Sequence, residues 1–304
     1  MKSLVVGYGS IGQRHTDILT ELGHTVCVVS RRKVKVPILY RDVQTAVKKF
    51  NPEYIVIASK SSEHAKDIRA LQNANFGGTV LVEKPLFHCP HPKNQIRVND
   101  VFVAYNLRFH PALKRFRDLL EECKIASAHV YVGHYLPEWR KNIDYRQTHS
   151  AFKTAGGGVL RELSHELDYI NWIFDGWTKL SALGGHFSPL EIDTDDVYSL
   201  LIETRRCPVV SVTVNYLDRT LRREAIVHTD TNTIRLDLKN GTVEVGKSVE
   251  TFTVSKNQTY IGEHKAALSG NRNDLCTFDQ GIEVVEMIDA AEMAAKKRIW
   301  ISKL

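Results

Sequence analysis

The chain has 304 residues, 43% of them apolar and 25% charged, the proportions of a soluble globular protein with enough material for two domains. Its formal net charge of +6 favours small anionic partners. The densest cationic cluster, Arg31-Arg32-Lys33, lacks the interleaved aromatics that would indicate nucleic-acid binding, and the longest apolar stretches, such as Tyr54–Ser59, are strand-length and exclude a membrane-spanning helix.

The first hundred residues alternate apolar runs with amphipathic stretches, the pattern of repeated βα units. Ser3–Val6 is a short strand running directly into glycine, and Ser10–Leu22 reads as a helix stopped by Gly23. Val26–Val29 is the second strand, and Asp42–Phe50 is helical, with Val43, Ala46, Val47 and Phe50 at helical spacing. Tyr54–Ala58 and Val80–Val82 are further strands around a helix at Ser62–Asn73, and Val101–Tyr105 ends the set. Near-continuous apolar strands indicate a parallel sheet covered on both faces. Residues 1–105 are therefore expected to form an α/β Rossmann domain, a doubly wound parallel sheet. The start of the chain lacks a signal peptide's apolar segment, and the five scattered cysteines contain no C-x-x-C pair. The expectation is a cytoplasmic protein with reduced thiols and no metal site.

Beyond residue 105 the pattern changes. A helix follows Pro111, a strand covers Ser127–Tyr135, and an irregular polar stretch runs through Ser150. Gly156-Gly157-Gly158 then opens an amphipathic helix expected to run unbroken to Phe174. Alternating strands follow at Leu180–Phe187, Val197–Thr204, Val209–Leu217, Arg223–His228, Thr233–Leu238 and Thr242–Val245, with a last helix over Asp274–Lys297. Residues 106–304 thus read as an α+β domain with a large open mixed or antiparallel sheet.

Gly7-Tyr8-Gly9-Ser10-Ile11-Gly12 is G-x-G-x-x-G between the first strand and the first helix. Gly7 permits the turn, Gly9 lets a pyrophosphate approach the backbone, Gly12 allows close helix–strand contact, and the helix N-terminus supplies free N–H groups. The second strand ends Val29-Ser30-Arg31-Arg32, without the acid that an NAD site uses for the ribose 2′-hydroxyl. Ser30, Arg31 and Arg32 suit a 2′-phosphate instead, so NADP(H) is the preferred cofactor, with NAD(H) also open; the bland alternative is a solvated arginine loop. Ser59, Lys60 and His64 follow the strand at Tyr54–Ala58 and are expected to line the path from diphosphate to nicotinamide.

Together with the glycine loop, Glu83-Lys84-Pro85 resembles the glucose–fructose oxidoreductase / inositol dehydrogenase / MocA (Gfo/Idh/MocA) family. The likeness continues through Tyr105–Pro111, through Asp144-Tyr145-Arg146 with the triple glycine and Leu163–Asp168, and through Leu275–Gly281. The resemblance implies an acid/base lysine at Lys84, beside the cofactor with Glu83, and a catalytic histidine at His165. A lysine is chemically apt, because removing hydride from a carbinol requires a base for the hydroxyl proton. His165 and Asp168 stand at i and i+3, on one helix face. Asp168 either orients His165, binds substrate or makes a structural hydrogen bond. Asn106, Arg108, Tyr145 and Arg146 are candidate substrate ligands, with packing or salt bridging the alternative for Arg108.

Two departures from the family stand out. Many members carry an aspartate four residues before the histidine; that place is Arg161 here, and the nearest acid, Glu162, is only three residues away, a helical turn of about 60° off the same face. Glu162 either substitutes for it or the second acid is missing. Phe87–Asp100 is short and Pro/His-rich where members commonly have a helix. The implied activity is hydride transfer on a sugar or nucleotide-sugar derivative, in the manner of enzymes of surface-sugar synthesis, by a homodimer or homotetramer. Two other branches, NAD-dependent glycosidases and non-catalytic ligand sensors, remain open; Ser30-Arg31-Arg32 argues against the first, and Lys84 with His165 against the second.

Overall fold

The computed structural model describes residues 1–90 and 100–303. The chain divides into two compact units: Met1–Phe109 with Lys256–Ile282, and His110–Ser255 with Glu283–Leu304.

The first unit opens with β1 (Lys2–Val6), α1 (Ser10–Glu21) and β2 (Thr25–Val29), followed by a two-residue β3 (Leu39–Tyr40). Helix α2 (Val43–Phe50) starts where Asp42 accepts the Thr45 N–H and ends at Asn51 in the left-handed conformation, and it buries Val43, Ala46, Val47 and Phe50. Strand β4 (Tyr54–Ile57), α3 (His64–Asn73), β5 (Thr79–Val82) and β6 (Val101–Val103) complete the expected series. The sheet order is β3-β2-β1-β4-β5-β6, all parallel, the doubly wound Rossmann order. Every residue of β4 is buried, which accounts for its unbroken apolar sequence.

In the second unit, α4 (Pro111–Leu120) is capped by His110, whose Nδ1 accepts the Ala112 N–H, with Pro111 at the first helical position. Next come β7 (Ile125–Gly133), α5 (Val159–Glu162), α6 (His165–Ile173), β8 (Trp177–Gly185), β9 (Val197–Thr204) and β10 (Val210–Asn215). Strands β11 (Arg222–Thr229), β12 (Thr233–Asp237), β13 (Thr242–Val245) and β14 (Ser248–Thr251) follow. The remaining elements are α7 (Gln258–Ser269), β15 (Cys276–Thr277), α8 (Phe278–Lys297) and β16 (Ile301–Ser302). The nine-stranded sheet runs β14-β13-β12-β11-β7-β10-β9-β8-β16 and is mixed: β7 and β10 are parallel and the other pairs antiparallel. In β9, Tyr198, Leu200, Ile202 and Thr204 are buried while Ser199, Leu201 and Glu203 are exposed, the alternation of a sheet with one covered face.

Three features depart from the sequence-based expectations. The helix after the triple glycine is broken at Leu163-Ser164 into α5 and α6, so the 60° offset argued for Glu162 along one continuous helix does not apply. The segment from Lys256 to Ile282 returns to the first unit, where the boundary at 105/106 had assigned it to the second. There α7 packs on Asn106–Phe109 and on α1, and β15 adds an antiparallel edge strand to β6, occupying the place where the last helix was expected to begin. Helix α7 escaped the sequence reading because it buries Glu263 and His264 and so shows little apolar periodicity. Of the Pro/His-rich segment, His91 and Pro92 lie outside the described residues.

A β-carbon on Gly12 would lie 2.2 Å from the Gly7 carbonyl oxygen, whereas nothing lies within 4 Å of that position on Gly9. Gly12→Ala must push α1 off the glycine turn and is expected to cost roughly 1–3 kcal/mol, read as a lower midpoint in chemical denaturation. Gly9→Ala is expected to leave that midpoint unchanged.

Candidate functional site

The parallel register places the strand ends of the first unit in one row. Val29 and Ile57 pair with Val6, and Val82 pairs with Ile57. The next residues, Ser30, Gly7, Ala58 and Glu83, therefore stand side by side at the carboxyl edge, about 4.8 Å per strand. Ligands of such sheets bind at this edge, at the switch point between β1 and β4.

Gly7 is at φ +94°, and a β-carbon there would lie 2.6 Å from the Ala58 carbonyl oxygen. Only glycine fits this turn. Helix α1 begins at Ser10 behind Gly9, with no side chain capping its first N–H groups and no acid in its first turn. An uncapped helix end with open space over Gly9 fits the diphosphate of a dinucleotide. Tyr8 lines an adjoining cleft of about 350 Å³ with Gln13, Arg32, Lys33, Val34 and Lys35. Ser10 is exposed, and Ile11 is half-buried against the core beneath.

At the end of β2, Ser30 is buried and its hydroxyl oxygen accepts the Arg32 N–H at 3.2 Å. The Arg32 guanidinium donates to the Tyr8 carbonyl at 2.9 Å, and Arg31 pairs with Glu63. The turn is held by Arg41, which sequence reading missed: its Nη1 donates to the carbonyls of Ser30, Arg31 and Arg32 at 3.1, 2.8 and 3.0 Å. Past β4, the Ser59 hydroxyl donates to Asp67 at 2.6 Å, while burial pushes the Asp67 carboxyl up. Lys60 is exposed. His64 is buried, with one ring nitrogen 3.1 Å from the Ser59 carbonyl and the other 3.2 and 3.1 Å from those of Pro85 and Leu86. It ties the turn after β4 to the turn after β5.

Lys84 is half-buried and precedes a cis Pro85. Its N–H donates to Glu83 Oε2 at 3.1 Å. Glu83 Oε1 lies 2.9 Å from His15 Nε2, His15 Nδ1 lies 2.9 Å from His264 Nε2, and His264 Nδ1 lies 3.0 Å from the Tyr54 hydroxyl. His15, His264 and Tyr54 are fully buried. One proton assignment satisfies every group with neutral rings: Tyr54 donates to His264, His264 to His15, and His15 to the Glu83 carboxylate. Asn106 Nδ2 donates to Thr259 at 2.7 Å, and the buried Arg108 donates to Gln280 at 2.9 Å and the Leu275 carbonyl at 3.3 Å. Two of the Arg108 contacts are thus to residues of the returning segment of the same unit.

In the second unit, His165 opens α6 and Asp168, one turn on, is buried. Glu166, between them, is fully buried and paired with Arg223 at 2.9 Å. Glu162 lies 2.7 Å from His149 Nε2, a partner that sequence spacing did not reveal. Arg161 turns to Glu292 on α8. The acid beside this helix is Asp195, which accepts the Leu160 N–H at 3.2 Å and would be 2.5 Å from a β-carbon on Gly158. Tyr145 accepts the Glu191 N–H, and Arg146 is engaged by both Asp144 and Glu191. Among the described residues, no group of three or more His, Cys, Asp or Glu side chains is placed to hold a metal ion, and no helix is long and apolar enough to cross a membrane.

Residues 1–96 match the oxidoreductase family with an NAD-binding Rossmann fold, Gfo/Idh/MocA. The match covers 96 of the chain's 304 residues. The nucleotide-binding unit is that of an NAD(P)-dependent oxidoreductase. The whole chain shares its fold with GenD2 from gentamicin A biosynthesis in complex with NAD (TM-score 0.81, 19% identity, covering 100% of this chain and 96% of that one). It likewise superposes on levoglucosan dehydrogenase in complex with NADH and levoglucosan (0.85, 16%, 99% of both chains). A third structure of this fold is an oxidoreductase from Agrobacterium radiobacter with NAD+, L-tartaric acid and magnesium (0.80, 14%, 99% and 98%). No curated protein matches the chain in sequence.

Burial holds His264 well below the ordinary histidine range, helped by His15 and His24, and burial also lowers His64. Both rings bind a proton less readily when folded than when unfolded, so stability is unaffected well above about pH 6.5 and falls as pH drops below it. The slope approaches about 1.4 kcal/mol per pH unit for His264, the more strongly lowered of the two, and is smaller for His64. Denaturation at pH 7.5, 6.5 and 5.5 measures it, and His264→Gln is expected to remove one proton's share of the slope.

Proposed function

We propose that the protein transfers a hydride between NADP(H) and a carbinol or keto carbon of a sugar or nucleotide-sugar derivative, in the cytoplasmic synthesis of a surface polysaccharide. The observation that carries this reading is the row at the sheet edge. The open Gly9 turn and uncapped α1 stand over β1, and Lys84 follows β5 two strands away, roughly 10 Å. Ser30, Arg31 and Arg32 stand on the opposite side of β1, where a ribose 2′-phosphate is read. The sugar class is supported by the likeness in fold to levoglucosan dehydrogenase, and NADP(H) suits a biosynthetic reduction.

The bound dinucleotide supplies or accepts the hydride. Lys84 handles the proton: in reduction its ammonium polarises the carbonyl oxygen and protonates it, and in oxidation its neutral amine takes the hydroxyl proton. Glu83, fixed by His15, holds the Lys84 backbone through the N–H bond. His165 contacts or relays a proton to the substrate hydroxyl, with Glu162 and Asp168 orienting it, and Tyr145, Arg146 and Asn106 contribute binding. The exposed residues of β8 and β9, Leu183 at 65% and Leu201 at 51%, with Ser199 and Glu203, form the face on which we place a second copy of the chain.

Lys84→Met is expected to bind NADPH within about twofold of wild type and to lose at least about a hundredfold in ketosugar-dependent NADPH oxidation. Full activity in that variant refutes the role of Lys84. Leu201→Arg is expected to shift sedimentation from an oligomer to a monomer; an unchanged sedimentation coefficient refutes that interface.

A further inference from the structure

Glu63 is the residue before α3, yet its carboxylate makes no capping bond to that helix. It reaches Arg31 instead. Arg31 follows the end of β2 and Glu63 follows β4, and these two strands flank β1. The ion pair therefore bridges the two strands on either side of β1, at its carboxyl end. Sequence reading found no acid at the end of β2, but folding brings one to the same guanidinium from beyond β4.

We infer that Glu63 is a specificity-determining residue, a resident anion that occupies Arg31 and is exchanged for the 2′-phosphate when NADP(H) binds. The inference rests on the proposed cofactor reading. The surrounding groups leave Arg31 as the mobile partner. Arg41 fixes the three carbonyls of the turn, so the backbone is held while the side chain is free to swing. Arg32 is committed to the Tyr8 carbonyl. The Ser30 hydroxyl accepts from Arg32 and retains its own proton for donation to an incoming oxygen. Asp67 adds negative charge near Arg31 but is already bonded by Ser59. The Arg31 side chain is 72% exposed and that of Glu63 33%, so the pair is separated at small cost in water. The guanidinium fork suits a carboxylate and a phosphate alike. NADH offers no anion at this position, so it leaves the pair intact; NADPH must displace the carboxylate from the guanidinium before its phosphate can take that place.

The test is calorimetric titration of the full-length protein with NADPH and NADH, on wild type, Glu63→Gln, Arg31→Ala and the double variant, with thermal melts to verify folding. Glu63→Gln is expected to tighten NADPH about three- to tenfold, less at high salt, with NADH changed by less than about twofold. The gain disappears in the Arg31→Ala background, because the carboxylate acts only through that guanidinium. If Arg31→Ala lowers the NADPH to NADH affinity ratio but Glu63→Gln does not raise it, the exchange is refuted while the cofactor reading stands. Selective weakening of NADH by Glu63→Gln refutes it too, making Glu63 a ribose-hydroxyl acceptor. If Arg31→Ala leaves the ratio unchanged, the phosphate reading itself fails, and the exchange with it.

Discussion

The parallel register of β2, β1, β4 and β5 is the constraint on which the candidate chemistry depends. Hydrogen bonding between these strands fixes Ser30, Gly7, Ala58 and Glu83 in one line. A one-residue slip in any pair would turn its side chains to the other face and break the line. The strands are packed on both faces: Leu4, Val5, Ile55, Val56, Val80 and Leu81 are all solvent-inaccessible, so a slip would require the close-packed core on either side to be rebuilt. The groups at the edge, several of them polar, are held in place by strands whose last residues before the edge are all apolar.

Polar groups do the second part of the work, below the edge. Glu83, His15, His264 and Tyr54 come from four separate segments and form one continuous hydrogen-bonded chain in a dry interior. Such a network stabilises only when every member is satisfied, because each unpaired buried group would cost about 1–3 kcal/mol. The chain therefore fixes α1, β4, the Lys84 turn and α7 together with a specificity that apolar packing alone does not supply.

The parts legible in the sequence were those with local causes. The βα alternation, the glycine turn and the absence of an acid at Ser30-Arg31-Arg32 follow from short windows of residues, and the structure shows the fold they imply. What could not be read depends on partners distant in the chain. His15 looks like one polar position on the apolar face of α1, and nothing in its neighbourhood announces His264, 249 residues on. Glu63 reads as an ordinary residue before a helix until β2 and β4 are placed on either side of β1. The break at Leu163-Ser164 was missed because every residue there is compatible with a helix, and the triple glycine accounts only for where that helix starts.

The return of residues 256–282 to the first unit has a consequence for how the molecule comes to be made. A nascent chain emerges N-terminus first, and most domains fold as soon as their own sequence is available. Here the sheet of the first unit can pair when about a hundred residues are out, but His15 and Tyr54 lack their partner, and β6 its edge strand, until α7 and β15 arrive. The unit that begins first is thus completed only after the intervening 146 residues (110 to 255) have been synthesised. Through that interval a pair of polar groups waits in an unfinished core, a period when binding of the dinucleotide or of a chaperone would act on an incomplete domain.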